Sequence, residues 1–353
     1  MAKPFKTLDE QIDILIKRNL VIKDIDQAKF SLTKHGYYSI INGYKDIFLK
    51  EKANPMEEDC YSDNVNFTDL INLYYFDVRL RNEILSALES IEGTLQSNIA
   101  YILSEKFGYE KTDYLCPTNF KVGRRTRNGR NEREVLLEQL EKICGSEEHP
   151  MKHYRSRYGN VPPWILAKGL TFGNIIYIYK LFKKEEKDYL ISRCLGTPIN
   201  EVDEKLKEFF SKMLDIFRRY RNWAAHGGRI YSHKVREELP YYPPVHQKYG
   251  ITRGNYNKGQ GKNDIMGLCL AMFFFMDSYF HGSVQFFAGL DHNLEHYQKR
   301  NPGYYPGVLK QMGFPSDYEE SFFKDKVLQI NTNSKLFLER IQLPSVSPNT
   351  IPQ

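Results

Sequence analysis

Apolar residues recur at helical spacing along most of this chain, and the longest run of that pattern covers residues 68–107. Leucine and isoleucine return there every three or four positions, as at Leu80, Ile84 and Leu88. One face of an α-helix presents its side chains at that interval. The pattern therefore predicts two long helices, or a single helix kinked near Gly93.

Shorter stretches with the same periodicity fill much of the remaining chain. A capping-box pattern opens residues 7–20, and further helices are predicted over residues 24–34, 199–217 and 264–290. The alternation of apolar and polar positions that is typical of a β-strand does not persist anywhere. We therefore predict an all-α fold.

Polar or proline-rich segments interrupt the helical pattern. Residues 50–66 are polar, and residues 239–263 combine prolines, tyrosines and glycines, which predicts a long exposed excursion. These breaks suggest three parts: an N-terminal helical segment over residues 1–60, a helical domain over 61–236, and a loop-rich segment with C-terminal helices over 237–353.

Composition indicates a chain that can fold and whose charge is almost balanced. Its 353 residues are 41% hydrophobic, which is enough for a core, and 50 basic against 44 acidic residues leave a net charge of +6. Any nucleic-acid-binding surface must therefore be local.

Residues 121–133 are the most basic segment, with six cations, one acid and two glycines. We expect a mobile loop that contacts phosphates, because each such contact releases condensed counterions. A solvated turn without any ligand explains the same charge run equally well. The cations are Lys121, Arg124, Arg125, Arg127, Arg130 and Arg133.

The five cysteines are widely spaced and form no C-x-x-C pair, which is typical of the reduced cytosol. No secretory signal is recognisable near the N-terminus. The longest apolar tract, residues 265–290, is interrupted by Asp277, His281 and Gln285, so a buried helix explains it better than a membrane span. We expect a cytoplasmic protein without a membrane segment.

Residues 217–231 concentrate four arginines, an asparagine and a histidine. On one continuous helix, Arg218, Asn222 and Arg229 would form a stripe with His226 beside it, an arrangement suited to an anion. Arg221 and His226 would lie about 140° apart, flanking that stripe from two sides. Two copies facing each other would close such a site more easily than one.

The sequence Arg221-Asn222-x-x-x-His226 carries groups that can cleave RNA without a metal. Arginine can hold the phosphate, histidine can transfer a proton near neutral pH, and asparagine can orient either one. The nucleophile is the 2′-hydroxyl of the RNA itself. The alternative is that these residues only grip phosphates, as in a non-catalytic RNA-binding regulator.

Other chemistries have weaker support. The pattern His292-x-x-Glu295-His296 matches inverted zinc peptidases but needs a third ligand, for which Glu319, Glu320 and Glu339 are available. His149 and His153 are four residues apart, but Pro150 between them argues against a helical metal clamp. Glycine-rich nucleotide cradles and the nucleophile elbow are both missing from the sequence, so we predict no cofactor and no metal.

Two groups of residues are most simply structural. Asp77 and Arg81 lie at i,i+4 among apolar neighbours, which predicts an ion pair within one helix. Tyr37, Tyr38 and Tyr44 could stack on bases, but aromatic residues at helical spacing belong more often to a core.

Taken in order, the landmarks of this chain resemble the abortive-infection proteins of the AbiD/AbiF type, a branch of the HEPN (higher eukaryotes and prokaryotes nucleotide-binding) superfamily. The landmarks are Phe5-Lys6-Thr7-Leu8 with Gln11-Ile12, His35-Gly36-Tyr37-Tyr38 with Gly43-Tyr44, Phe76-Asp77 with Leu80-Arg81 and Ile91-Glu92, Pro163-Trp164 with Phe172-Gly173, Arg221-Asn222 with His226 and Arg229-Ile230-Tyr231, and Gly313-Phe314-Pro315.

The resemblance implies an HEPN-like helical bundle with N-terminal and C-terminal helical additions. It implies a metal-independent endoribonuclease toxin of phage defence with Arg221, Asn222 and His226 as catalytic residues. Two such motifs usually face each other, so a homodimer is implied. Related toxins are restrained by a structured noncoding RNA, which makes RNA both a substrate and a possible inhibitor. We expect the basic loop, Arg218 and Arg229 to bind it.

Overall fold

The fold is all-α, as the periodicity predicts. A computed structural model describes residues 4–54, 56–276 and 280–315 together with Tyr318, and every regular element in this part of the chain is helical. The α-helices are α1 (Leu8–Lys17), α2 (Ile25–His35), α3 (Phe67–Phe107), α4 (Lys111–Tyr114), α5 (Glu132–Cys144), α6 (Met151–Tyr158), α7 (Pro163–Leu166), α8 (Phe172–Leu181), α9 (Lys184–Leu195), α10 (Glu204–Ala225), α11 (Pro243–His246), α12 (Arg253–Asn257), α13 (Ile265–Met276), α14 (Phe280–Arg300) and α15 (Tyr305–Met312). Between them lie a π-helical turn (Tyr38–Asn42) and 3₁₀ turns (Lys45–Phe48, Pro117–Asn119, Ala167–Gly169, Ile199–Glu201, Gln247–Tyr249).

The long apolar run forms one continuous helix rather than two. Helix α3 has 41 residues, so it is about 60 Å long at 1.5 Å per residue. At its start the Asp69 carboxylate accepts the backbone N–H of Asn66 at 2.8 Å, and Gly108, with φ +98°, follows its end. A helix of this length can carry separate groups of functional residues on different faces and at different levels.

The rest of the molecule packs around α3. Helix α14 lies along it, and α7, α9 and α10 contact it as well. Buried side chains from all three predicted parts of the chain join one hydrophobic cluster, for example Leu15, Leu80 and Leu268. The boundaries at residues 60 and 236 remain a prediction, but α3 is the common support of every part.

Helix α10 positions the arginine-rich stretch. Prediction placed a helix over residues 199–217, whereas α10 begins after the N-cap Asp203 and continues to Ala225. Its apolar face, including Phe210, Leu214 and Phe217, is fully buried. The burial of this face continues through Tyr220 and Ala224, which keeps the arginine-rich residues helical.

The exposed excursion predicted over residues 239–263 is wrong. Leu239, Val245 and Tyr249 in this segment are buried, and the hydroxyl of Tyr256 donates to the Leu239 carbonyl at 2.9 Å. Prolines and glycines here make short turns that fold back against α13, where aromatic rings cover the segment. The proline and glycine content of residues 239–263 correctly predicted that this segment forms no long helix, but it did not predict that part of the segment is buried.

The helix predicted over residues 264–290 corresponds to α13, from Ile265 to Met276, and to α14, which begins at Phe280 and ends at Arg300, ten residues beyond the predicted end. Asp277 and residues 278–279 lie outside the described part of the chain. No helix in the described part is both long and apolar enough to cross a membrane.

Candidate active site

The arginine-rich stretch lies at the end of α10, and Gly227 decides where that helix stops. His226 is the C-cap residue, and Gly227 follows in the left-handed region with φ +74°. The N–H of Gly227 donates to the Ala224 carbonyl at 3.0 Å, and the N–H of Gly228 donates to the Trp223 carbonyl at 3.1 Å. This pair of hydrogen bonds is a Schellman motif, which satisfies the last carbonyls and turns the chain away.

The turn corrects the predicted stripe. Because the helix ends at Ala225, Arg229 does not lie on the same helical face as Arg218 and Asn222. Its guanidinium instead contacts Asp46 at 3.1 Å and the Gly43 carbonyl, on the 3₁₀ turn after α2 and the residues before it. Arg229 therefore holds the turn against the N-terminal part of the chain.

Asp77 of α3 anchors the residues that follow the turn. Its fully buried carboxylate accepts the N–H of Tyr231 at 2.7 Å, the N–H of Ile230 at 2.9 Å and the hydroxyl of Tyr44 at 2.8 Å. Burial raises the pKa of Asp77, and these hydrogen bonds oppose the shift. The predicted ion pair with Arg81 is confirmed at 3.7 Å. Asp77 therefore binds both within α3 and to the backbone of residues 230 and 231.

Arg81 extends the anchor to the turn itself. Its guanidinium donates to the carbonyls of Gly227 at 3.2 Å and Gly228 at 3.3 Å. On the other side, the indole N–H of Trp223 donates to the Arg229 carbonyl at 2.7 Å. A Cβ on Gly228 would meet that indole at 2.3 Å, so only glycine fits beneath the ring. The turn after His226 is held from both sides.

His226 and Asn222 are exposed, and Arg221 is half-buried. The imidazole of His226 takes part in no hydrogen bond, ion pair or ring contact with any residue that the structure describes. Neither a hydrogen bond nor an ion pair joins the side chains of Arg221 and His226 to each other within the described chain. The turn thus presents an unpartnered histidine from a fixed backbone.

Arg221 faces α3 rather than the histidine. Its Nε lies 3.4 Å from Oε2 of Glu92, close enough for an ion pair, but the N–H is not aligned for a hydrogen bond. Burial raises the pKa of Glu92, while the Arg221 guanidinium and the backbone N–H of Phe172 oppose the shift. Glu92 thus connects Arg221 to the first turn of α8.

The other arginines of the stretch differ in what they contact. Arg219 makes a two-pronged contact with Glu237, with its Nη2 at 2.7 Å and its Nε at 3.0 Å from Oε1. Arg218 is half-exposed and forms no hydrogen bond or ion pair within the described residues. Arg218 is therefore available to a ligand, and Arg219 is committed to the protein.

The basic segment forms a compact turn immediately before α5. The N–H of Thr126 donates to the Arg130 carbonyl at 2.7 Å, and Asn131 caps α5 with a capping box. Arg130 pairs with Glu138 at 2.6 Å, and Arg133 donates to the Pro117 carbonyl at 3.1 Å. The remaining cations of the segment are exposed: Lys121, Arg124, Arg125 and Arg127.

Helix α8 relates the basic turn to Arg221. Its first residue, Phe172, meets Glu92 beside Arg221, and the carbonyl of its last residue, Leu181, accepts the N–H of Lys121 at 2.7 Å. Ten helical residues span about 15 Å. Lys121 and Arg221 therefore lie near opposite ends of one short helix.

The two histidine pairs each place their rings close together. The rings of His292 and His296 stand 6.4 Å apart, and those of His149 and His153 stand 6.3 Å apart. Among the residues that the structure describes, no group of three or more His, Cys, Asp or Glu side chains could hold a metal ion. The candidate third ligands Glu319, Glu320 and Glu339 lie outside the described residues.

A family model described as Abi-like protein matches residues 31–232. The chain belongs to the Abi-like family. Its match begins in α2 and ends just after Tyr231, so it includes α3, the basic turn and the whole arginine-rich stretch. Neither a curated protein nor a solved structure matches the chain. Membership associates this Abi-like protein with abortive infection.

The anchor of the site is only partly visible in the Abi-like sequence. Asp77 and Arg81 were recognised as a pair because polar residues occupied an apolar helix face, but nothing in the spacing indicated their contacts with residues 227–231. Glu92 interrupts the same face and gave the same signal. A buried polar residue indicates that a partner exists, and only the fold identifies that partner.

Proposed function

We propose that this Abi-like protein is a metal-independent endoribonuclease toxin of phage defence. One observation carries the proposal: His226 is exposed at the end of α10 and has no partner among the described residues, while Arg81, Asp77 and Trp223 hold the turn that follows it. A fixed backbone beside an uncommitted imidazole is what a proton-transfer group needs.

In the proposed reaction the 2′-oxygen of a ribose attacks the adjacent phosphorus and the 5′-oxygen leaves, giving a 2′,3′-cyclic phosphate and a 5′-hydroxyl. His226 moves a proton from the 2′-hydroxyl or to the leaving oxygen. Arg221 binds the phosphate and stabilises the charge that accumulates on it. Asn222, one residue along the helix and exposed, orients one of these groups.

A homodimer is part of the proposal. Five helical residues separate Arg221 from His226 by about 500° of rotation, which is about 140°, and by about 7.5 Å of rise. Arg221 is turned toward Glu92 of α3, whereas His226 lies at the helix end. Facing copies of α10 would bring the arginine of one chain near the histidine of the other, which one copy does not achieve alone.

The basic turn supports RNA as the partner. Lys121, Arg124, Arg125 and Arg127 are exposed together at one end of α8, and Arg218 is free to contribute beside the site. Arg130, Arg133 and Arg229 contact the protein itself and have a smaller role in this proposal. A structured noncoding RNA that restrains the toxin would use the same exposed cations, because they bind phosphates irrespective of sequence.

The same basic turn also fits the second candidate, an RNA-binding regulator without catalysis. The two functions differ in what happens to RNA in the presence of EDTA. Cleavage to products with 2′,3′-cyclic phosphate ends supports the endoribonuclease, and binding without cleavage supports the regulator.

We expect His226→Ala and Arg221→Ala each to lower cleavage by about 10²-fold or more, since general acid–base catalysis and phosphate contacts contribute on that scale. The measurement is the initial rate of RNA cleavage by purified protein in EDTA, with circular dichroism to verify the fold.

Arg219→Ala is the matched control, because Arg219 lies on the same helix but pairs with Glu237. It should retain most of the cleavage rate. Undiminished cleavage by His226→Ala, or no cleavage by the wild type in EDTA, contradicts the proposed chemistry.

A further inference from the structure

A second charged site lies between α3 and α14. The two helices enclose a cavity of about 270 Å³, lined among others by Asn72, Tyr75, Arg79, His296, Tyr297 and Arg300. Two guanidiniums and an imidazole thus line one small cavity. None of the described residues that line it is a carboxylate.

Neither guanidinium is neutralised by a carboxylate of the described residues. Arg79 and Arg300 form no ion pair within the described residues, and Arg300 contacts the imidazole of His296 instead. Glu295, the acid nearest in sequence, pairs with Lys299 outside the cavity lining. Burial lowers the pKa of His296, and the charges of Arg300 and Arg79 lower it further. Like charges assembled in a half-buried cavity are unfavourable unless an anion joins them.

Arg79 is held in place by a buried amide. Its Nε donates to Oδ1 of Asn293 at 2.6 Å, and Asn293, only 3% exposed, donates in turn to the Phe76 carbonyl at 3.3 Å. The buried Asn293 thus fixes the guanidinium of Arg79 toward α14. A carboxylate at the position of Asn293 would have neutralised that charge, whereas an amide does not. The side chain of Arg79 is thus fixed in place, and no carboxylate in the described part of the chain pairs with it.

Tyr297 forms part of the cavity wall and is 1% exposed. Its ring packs against Phe76, with the ring centroids 5.1 Å apart. A buried ring in the wall excludes water from that side of the cavity and so strengthens the attraction between an anion and the two guanidiniums.

We propose that this cavity binds a phosphate group, carried by a small phosphate ester or by a nucleic-acid end. Arg79 and Arg300 bind its oxygens, His296 donates a further hydrogen bond when protonated, and the exposed ring of Tyr75 lies at the opening for whatever the phosphate carries.

The cavity is separate from the arginine-rich stretch. Arg79 and Arg81 are two residues apart on α3, which places their side chains about 160° apart around the helix. Arg81 faces the turn after His226, and Arg79 faces α14. The proposal therefore stands whether or not residues 221–226 cleave RNA.

Isothermal titration calorimetry of the full chain tests the proposal with inorganic phosphate and with two short deoxyoligonucleotides, one bearing a 5′-phosphate and one a 5′-hydroxyl. Deoxy probes carry no 2′-hydroxyl and cannot be cleaved by the chemistry proposed above. A preference for inorganic phosphate identifies a small phosphate ester as the ligand, and a preference for the 5′-phosphorylated probe identifies a nucleic-acid end.

The variants are Arg300→Gln, Arg79→Lys and the control Lys299→Gln. Arg300→Gln should weaken phosphate binding about tenfold or more, because a charge-assisted contact is lost. Arg79→Lys keeps the positive charge but loses the planar guanidinium, which can donate two parallel hydrogen bonds to a phosphate, so it should weaken binding as well. Lys299→Gln removes the same charge one residue away and should leave affinity within about twofold.

Two outcomes overturn the proposal. The first is that neither inorganic phosphate nor the 5′-phosphorylated probe binds the wild type better than the 5′-hydroxyl probe does. The second is that Lys299→Gln weakens binding as much as Arg300→Gln, since the effect is then general electrostatics and not a site.

Discussion

At the scale of single residues, two buried carboxylates explain more of this molecule than its many surface charges. Asp77 is fully buried and accepts hydrogen bonds from two backbone N–H groups and a tyrosine hydroxyl. Asp264 is 2% exposed and accepts the N–H of Gly267 at 2.9 Å. Asp77 holds α3 to the backbone after the turn, and Asp264 holds the start of α13. The effect of removing each carboxylate can therefore be predicted.

We expect Asp77→Ala to lower the free energy of unfolding by about 3 kcal/mol or more, since it leaves several buried donors without an acceptor. Asp46→Ala is the control: Asp46 contacts the same segment through Arg229, but on the surface, and its loss should cost about 1 kcal/mol or less. Urea unfolding measures both. Equal costs for the two variants would show that Asp77 is not the anchor.

Asp264 predicts a pH dependence of stability. Burial raises its pKa to about 6, so between about pH 4 and pH 6 the folded state keeps a proton that the unfolded chain has released. Its contribution is complete below pH 4 and is lost as the pH rises through 6, by up to about 3 kcal/mol. Asp264→Asn should flatten the stability profile in that window, as measured by urea unfolding from pH 4 to 7. An unchanged slope would contradict the assignment.

At the scale of elements, the end of α10 decides the geometry of the candidate site. A helix that continued past His226 would place Arg229 on the stripe with Arg218, as periodicity alone predicted. Gly227 in the left-handed region stops it, and the next residues are then captured by Asp77 and Arg81. The position of His226 therefore depends on a glycine beside it and on a helix more than a hundred residues earlier.

Gly227→Ala and Gly159→Ala separate strain from function, since Gly159 follows α6 and lies outside the basic turn. Both glycines have positive φ, +74° and +69°, and no atom lies within 4 Å of an added Cβ. Each substitution should therefore cost about 1 kcal/mol through backbone strain alone. Only Gly227→Ala should also lower RNA cleavage, by about tenfold for a displaced His226. Thermal unfolding measures the strain, and RNA cleavage rates measure the effect on function. An equal loss of cleavage in the two variants would show that the turn after His226 has no specific role in catalysis.

At the scale of the whole molecule, the proposed site needs two chains. The described chain leaves both tryptophans partly open, Trp164 at 48% and Trp223 at 42% exposed, and Trp223 follows Asn222 directly. Aromatic side chains exposed beside a polar site are typical of the centres of interfaces. A copy of α10 packed against this end would cover Trp223 and bring a second motif close.

Mixing two inactive variants tests the dimer. If each site combines the arginine of one chain with the histidine of the other, Arg221→Ala mixed with His226→Ala should regain about a quarter of wild-type cleavage after random exchange of subunits. The double variant mixed with either single variant is the control and should stay inactive. No recovery, together with a monomeric mass in light scattering at the assay concentration, would contradict the shared site.

Sequence patterns predicted the helices of this chain well and their partners poorly. The long run over residues 68–107 could be recognised because the burial of one face requires apolar residues at a fixed interval. Residues 239–263 were misjudged because irregular backbone carries no such interval, and its burial depends on helices elsewhere. The partners of two cations in the basic turn could not be predicted for a related reason: Arg130 pairs with Glu138, and Arg133 donates to the carbonyl of Pro117, and both partners lie outside the turn.

The sequence by itself determined the all-α fold, the family landmarks and the motif Arg221-Asn222-x-x-x-His226, because periodicity and residue chemistry are local properties. Only the tertiary structure decided that Arg221 faces Glu92, that Arg229 leaves the helix, and that Asp77 and Arg81 hold the turn after the histidine. These contacts join residues that are about 130 to more than 180 positions apart in the sequence. Which of such distant residues meet is decided by how the helices pack on α3. The phosphate cavity likewise exists only where α14 meets α3.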